Sequence, residues 1–169
     1  FHIVDEGDGR VSFRIGNTST DYEGDSSSSD AVDYGEWTHF VFRYDPATGD
    51  MTTFSNGRID ATKNIGDITP INTNTNELEM GKGGAENFKG YLDEIKIMNE
   101  SISDQEIWKL YTQGRDQLSD TEKAGPTGHW RMSERGYLHD YSGENNHADS
   151  HVVGEVGTFN TSDGEWTRV

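Results

Sequence analysis

Two adjacent carboxylates, Asp93 and Glu94, lie in the run Phe88-Lys89-Gly90-Tyr91-Leu92-Asp93-Glu94-Ile95-Lys96-Ile97. Carboxylates at a strand's two-residue period share a face, and a pair so placed can serve as acid and nucleophile on a glycosidic bond. Sandwich-shaped glycoside hydrolases do this with a Glu-x-Asp-x-x-Glu run on one strand. Here Tyr91 and Lys96 stand where the outer glutamates would be, and no other segment carries the run. Hydrolysis is therefore the disfavoured reading, since function follows the site and not the fold. His147 and His151 are four apart, a spacing that grips zinc on a helix, but their surroundings read as turn and strand. His39 alternates within an apolar run and is expected to be a hydrogen-bonded core histidine. The chain has no cysteine, which excludes disulfides and thiolate metal sites. No Ser/His/Asp arrangement, phosphate-cradling glycine loop or basic aromatic patch stands out.

The elements that must position these groups belong to a chain of 169 residues, room for one β-domain. Only 30% of residues are hydrophobic, and aromatics carry much of that share, so a thin core of Trp, Tyr and Phe suits a sandwich better than a helical bundle. The net charge of −17 repels nucleic acid and anionic membranes and favours divalent cations. No apolar run approaches the ~20 residues needed to span a bilayer. The opening Phe1-His2-Ile3-Val4 and the closing Trp166-Thr167-Arg168-Val169 both read as strands, as if cut from a larger protein.

Alternation in Val11–Ile15, after the turn Gly7-Asp8-Gly9, predicts a hairpin with Phe1–Val4. Asn17 to Asp33 reads as a long acidic loop. Trp37–Tyr44 is apolar on both faces and is expected inside the sandwich. Asp45–Asp50 is a turn, Met51–Ser55 the return strand, Asn56-Gly57 a hairpin signal, and Arg58–Thr62 the strand that pairs back. Gly66 to Asn76 is a polar connection, after which Leu78–Gly81 and Tyr91–Met98 read as strands around Gly83–Asn87. Ser103 with Glu106 forms a capping box, Ile107, Leu110 and Tyr111 give a helical stripe widened by Trp108, and Gly114 is a stop. The expected fold is all-β, an antiparallel sandwich with one short helix near residues 103–113. Residues 115–127 read as a linker, and 128–169 as a second set of strands. The tetrapeptide Gly-Glu-Trp-Thr occurs at Gly35–Thr38 and again at Gly164–Thr167.

Over residues 11–114 the chain resembles the laminin-G-like, concanavalin-A-like jelly-roll family. The resemblance is carried by Gly35, Trp37, His39, Tyr44 and Asp45, then by Asn56-Gly57, Phe88, Gly90 and Leu92–Ile95. The helix residues Ile102, Ser103, Glu106, Ile107, Leu110 and Tyr111 complete it. Residues 128–169 resemble the family's opening strands, with Trp130 and Glu134 followed by the turn Asp140, Ser142, Gly143, Asn146 and Ala148. Residues 1–114 thus match the later part of a jelly roll and 128–169 its beginning. Either the domain is circularly permuted, or the chain is a truncated window on tandem repeats. We favour one compact unit, because a lone strand segment has nowhere to bury its own face.

The resemblance implies a calcium site where first and last strands meet, with Asp140, Asp93 and Asn146 (or Asn145) as ligands. The competing role for such residues is capping of their own turn. It also implies that Trp37 and Trp130 are core residues and Trp108 a helix-packing residue. Ligand contacts are then expected from loops, at Tyr22, Tyr34 and Asn87. The implied function is non-catalytic binding of carbohydrate or protein, within an extracellular or cell-surface protein. The alternative is a structural spacer or polymer subunit that self-associates through open strand edges.

Overall fold

The computed structural model describes residues 2–5, 10–16, 21–24, 35–69, 71, 80–83, 86–87, 90–113, 126–132, 137–149, 157–160 and 165–168. The chain divides into two compact units, Phe1–Leu92 with Met98–Gly125, and Asp93–Ile97 with Pro126–Val169. In the first unit, β1 (His2–Asp5) pairs antiparallel with β2 (Val11–Gly16), and β2 with β3 (Asp21–Gly24). The first pairing is the expected hairpin. The second corrects the long acidic loop, because Asp21–Gly24 forms a strand in register with Phe13–Gly16.

The second sheet is β4 (Phe40–Asp45), β5 (Asp50–Ser55) and β6 (Arg58–Asn64), in that order. Asn56 and Gly57 both have positive φ, 49° and 76°, which the two-residue hairpin requires and which these residue types tolerate. At the other end Gly49 has φ 76°, and a Cβ there would stand 2.7 Å from the Gly66 backbone, so only glycine fits. β5 is the buried strand of the three, with Met51 to Phe54 all enclosed. β4 corrects an expectation. Every residue in it is half-buried, and among the described residues it is hydrogen-bonded to β5 alone. Trp37 precedes the strand and is 69% exposed, so the two-residue alternation that placed it in the core does not extend to it.

Among the described residues, two clusters make the core of this unit. Ile15, Met51 and Ile68 form one, with Phe13, Tyr44 and Ile65 packed against it. Phe54, Ile102 and Ile107 form the other, flanked by Val41, Met98 and Leu110. Tyr44 Oη ties the first cluster to the following loop, donating to Gly66 O at 3.1 Å and accepting from Ile68 N at 2.9 Å. The helix α1 (Asp104–Gln113) starts with the expected capping box. Ser103 N donates to Glu106 Oε2 at 2.6 Å, and Glu106 N donates to Ser103 Oγ at 3.3 Å. Arg43 fastens the helix start to the sheet, donating to Ile102 O at 3.0 Å and Asp104 Oδ1 at 2.7 Å while lying 4.8 Å over the Phe54 ring. A short hairpin, β7 (Lys82–Gly83) with β8 (Glu86–Asn87), replaces the loop expected over Gly83–Asn87. Of the strand expected over Leu78–Gly81, Met80 and Gly81 form a bend, and Leu78 and Glu79 lie outside the described residues. The stop at Gly114 and the linker over 115–125 lie outside the described residues.

In the second unit, β9 (Ile95–Ile97) runs antiparallel to β10 (Gly128–Trp130). The strand read over Tyr91–Met98 is therefore only three residues long. Glu94 has φ 53°, a left-handed conformation no strand accommodates, and it breaks the run. Trp130 bridges Asp140 on its other side. Its indole lies over Gly128 two residues back, and a Cβ at Gly128 would collide with that ring. The remaining pairs are β11 (Tyr137–Leu138) with β12 (Ala148–Asp149), and β13 (Gly157–Asn160) with β14 (Glu165–Arg168). In the second copy of the repeated Gly-Glu-Trp-Thr, Glu165–Thr167 lie in β14 and Gly164 lies outside the described residues, whereas Gly35–Thr38 is turn, bend and coil. Antiparallel strands and one short helix, among the described residues, agree with a concanavalin-like sandwich.

Candidate functional site

Asp140 is the most connected of the residues singled out above. It is buried, at 2% exposure, and both its oxygens are enclosed by donors. Oδ1 accepts from the backbone N–H groups of His129 and Ser142, each at 2.9 Å. Oδ2 accepts from Ser142 Oγ at 2.7 Å and Asn146 N at 2.9 Å. Burial pushes the carboxyl toward its neutral form. The Ser142 amide and hydroxyl, followed by the His129 and Asn146 amides, outweigh this and bring its pKa down to about 2. Asn146 completes the turn, donating through Nδ2 to Thr127 O at 2.8 Å and accepting the Trp130 Nε1–H at 3.0 Å on its backbone oxygen.

This arrangement does not fit calcium at Asp140. A carboxylate offers about four lone-pair sites, and N–H or O–H donors take four here. Calcium needs 6–8 oxygens turned toward it. Asp140 and Asn146 are brought together, but as the two halves of a turn cap. Asp93 is exposed and accepts the Glu94 N–H at 2.9 Å. Among the described residues no group of three or more His, Cys, Asp or Glu could hold a metal ion.

Glu94 is also engaged. Its left-handed backbone directs Oε2 to His129 Nε2 at 2.9 Å, with Lys96 Nζ at 3.9 Å. His129 was not singled out from the sequence. The only cue to it is the alternation that places Gly128, Trp130 and the core on one side and residue 129 on the other. His147 accepts the Asp140 N–H on Nδ1 at 3.1 Å, and its ring stacks on His139 with centroids 4.4 Å apart. His151 lies outside the described residues.

The tryptophans divide by environment. Trp130 is buried, at 3% exposure, as expected of a core residue. Trp108, in α1, is 41% exposed and lies against Gly57 of the hairpin turn beside Tyr111, with Arg58 5.6 Å over its ring. Trp37 faces solvent, and its partner is Tyr91, 58% exposed, with ring centroids 6.4 Å apart and planes tilted by 38°. Tyr22 stands on β3 opposite Ile15, and Asn87 on β8 opposite Lys82, while Tyr34 lies outside the described residues.

Family comparison agrees with this architecture. The chain belongs to the concanavalin A-like lectin/glucanases superfamily, whose laminin-G-like model matches residues 1–108. No curated protein matches the chain. Among solved structures it is similar to an S-layer domain-containing protein (residues 221-444) from Clostridium thermocellum ATCC 27405. Identity is 18%, with 65% of this chain and 55% of that chain covered, and the TM-score is 0.37. The chain spans about half the length of that relative. No helix among the described residues is long and apolar enough to cross a membrane.

Proposed function

We propose that this chain is a non-catalytic binding module, a jelly-roll sandwich within a larger extracellular protein, whose ligand is carbohydrate or another protein. The observation that carries the reading is where the carboxylates go. Glu94 is held by His129 and Lys96, Asp93 by the Glu94 amide, and Asp140 by four donors. A glycosidase needs two carboxyls facing one bond across ~5 to 9.5 Å, and these three are each engaged by neighbouring donors instead. The test is paired. Incubation with β-glucans and other polysaccharides should release no reducing sugar, and an array of glycans and extracellular proteins should retain the chain. Turnover that disappears in Glu94→Gln would sink the reading.

Assembly by strand sharing is the weaker reading. Among the described residues β4 and β6 edge their sheet, with Arg43 and Asp45 on the one and Arg58, Asp60 and Lys63 on the other. Charges along an edge oppose the addition of another strand.

A further inference from the structure

Trp37 and Tyr91 are two large aromatic side chains left in water next to each other, 69% and 58% exposed, in a unit whose core elsewhere encloses Phe54, Ile68 and Ile107 completely. Single exposed apolar residues are ordinary. A contacting pair of the two most amphipathic aromatics is a ready-made contact surface, because Trp and Tyr offer large rigid faces at low entropic cost. The backbone beneath Trp37 is fixed. His39 N donates to Asn56 Oδ1 at 3.1 Å, and Asn56 N donates back to His39 O at 2.8 Å, so the approach to β4 is pinned to the hairpin turn. Gly35, with φ 89°, turns the chain just before Trp37.

The surroundings select the ligand. Gly35, Glu36 and Gly90 are exposed and carry no apolar side chain, while Leu92, 39% exposed, adds apolar surface next to Tyr91. The two ring faces, with Leu92 at their edge, make a small platform of flat apolar surface. It matches a sugar ring, which has an apolar C–H face and a hydroxyl rim that the exposed Glu36 carboxylate can hydrogen-bond. The net charge of −17, with Glu36 next to Trp37, repels uronate and sulfate groups. We propose that Trp37 and Tyr91 form a stacking subsite for an uncharged pyranose unit of a glycan. This inference rests on the binding-module reading and specifies its site and ligand class.

The experiment is a glycan array on the intact chain that spans uncharged, uronate and sulfated glycans. It is followed by calorimetric titration of the best uncharged oligosaccharide against variants whose melting temperatures match the parent. Trp37→Ala should weaken binding about tenfold or more, Tyr91→Ala less, and Trp37→Phe should retain most of it. Bound oligosaccharide should also shield tryptophan fluorescence from acrylamide in the parent but not in Trp37→Phe. Glycan or protein binding that Trp37→Ala and Tyr91→Ala leave unchanged overturns the subsite and spares the binding-module reading. So does binding confined to uronate or sulfated glycans, or a concentration-dependent dimer, without glycan binding, that Trp37→Ala abolishes. Retention of no glycan and no protein overturns both.

Discussion

Asp140 shows how one residue's role depends on who donates to it. The spacing Asp140, Ser142, Gly143, Asn146 marks the turn, and three of the four donors, the Ser142 amide and hydroxyl and the Asn146 amide, come from within it. The His129 amide arrives from eleven residues away, and no local pattern announces it. Asp140→Ala strands four donors around a buried void, and the expected loss is about 3 kcal/mol of stability in urea unfolding. Asp140→Asn keeps the shape and one acceptor and should lose less. The pH dependence has a definite sign. The folded carboxyl titrates near 2, below its ordinary 3.8, so its stabilisation is complete above pH 3.8 and is lost as pH falls toward 2. In Asp140→Asn that part of the acid-induced decline in melting temperature should be missing. A parent and variant with identical acid profiles would contradict the assignment.

At the scale of elements, local chemistry was legible wherever a turn or cap is made by neighbours. Asn56-Gly57 and the Ser103/Glu106 box formed as their spacing requires. Ser103→Ala should therefore cost about 1 kcal/mol, seen as a lower urea midpoint with an unchanged slope. A neutral result would mean that the Arg43 contacts to Ile102 O and Asp104 hold the helix start unaided. Alternation failed where the backbone leaves the strand region. Glu94 has an ordinary strand-like neighbourhood in sequence, yet its φ of 53° is adopted with its carboxylate on His129, thirty-five residues away. Trp37 failed for a related reason, since the strand begins three residues later than the apolar run.

Across the whole molecule, 31 acidic against 14 basic residues make self-repulsion a standing cost. Sodium chloride should raise the melting temperature by screening. Because Asp140 has its lone pairs filled, calcium should do no more than an equal ionic strength of sodium, and a chelator should change the melting temperature by less than about 1 °C. A selective rise at micromolar calcium would show a cation site elsewhere in the chain. The sequence by itself determined the antiparallel strand-rich class, the hairpin turn, the capped helix and the family, because each rests on periodicity or on contacts between near neighbours. Only the tertiary structure decided that Asp140 caps a turn, that Glu94 is bound to His129, and that Trp37 faces solvent beside Tyr91. Those outcomes depend on partners eleven, thirty-five and fifty-four residues away, which no short-range pattern can encode.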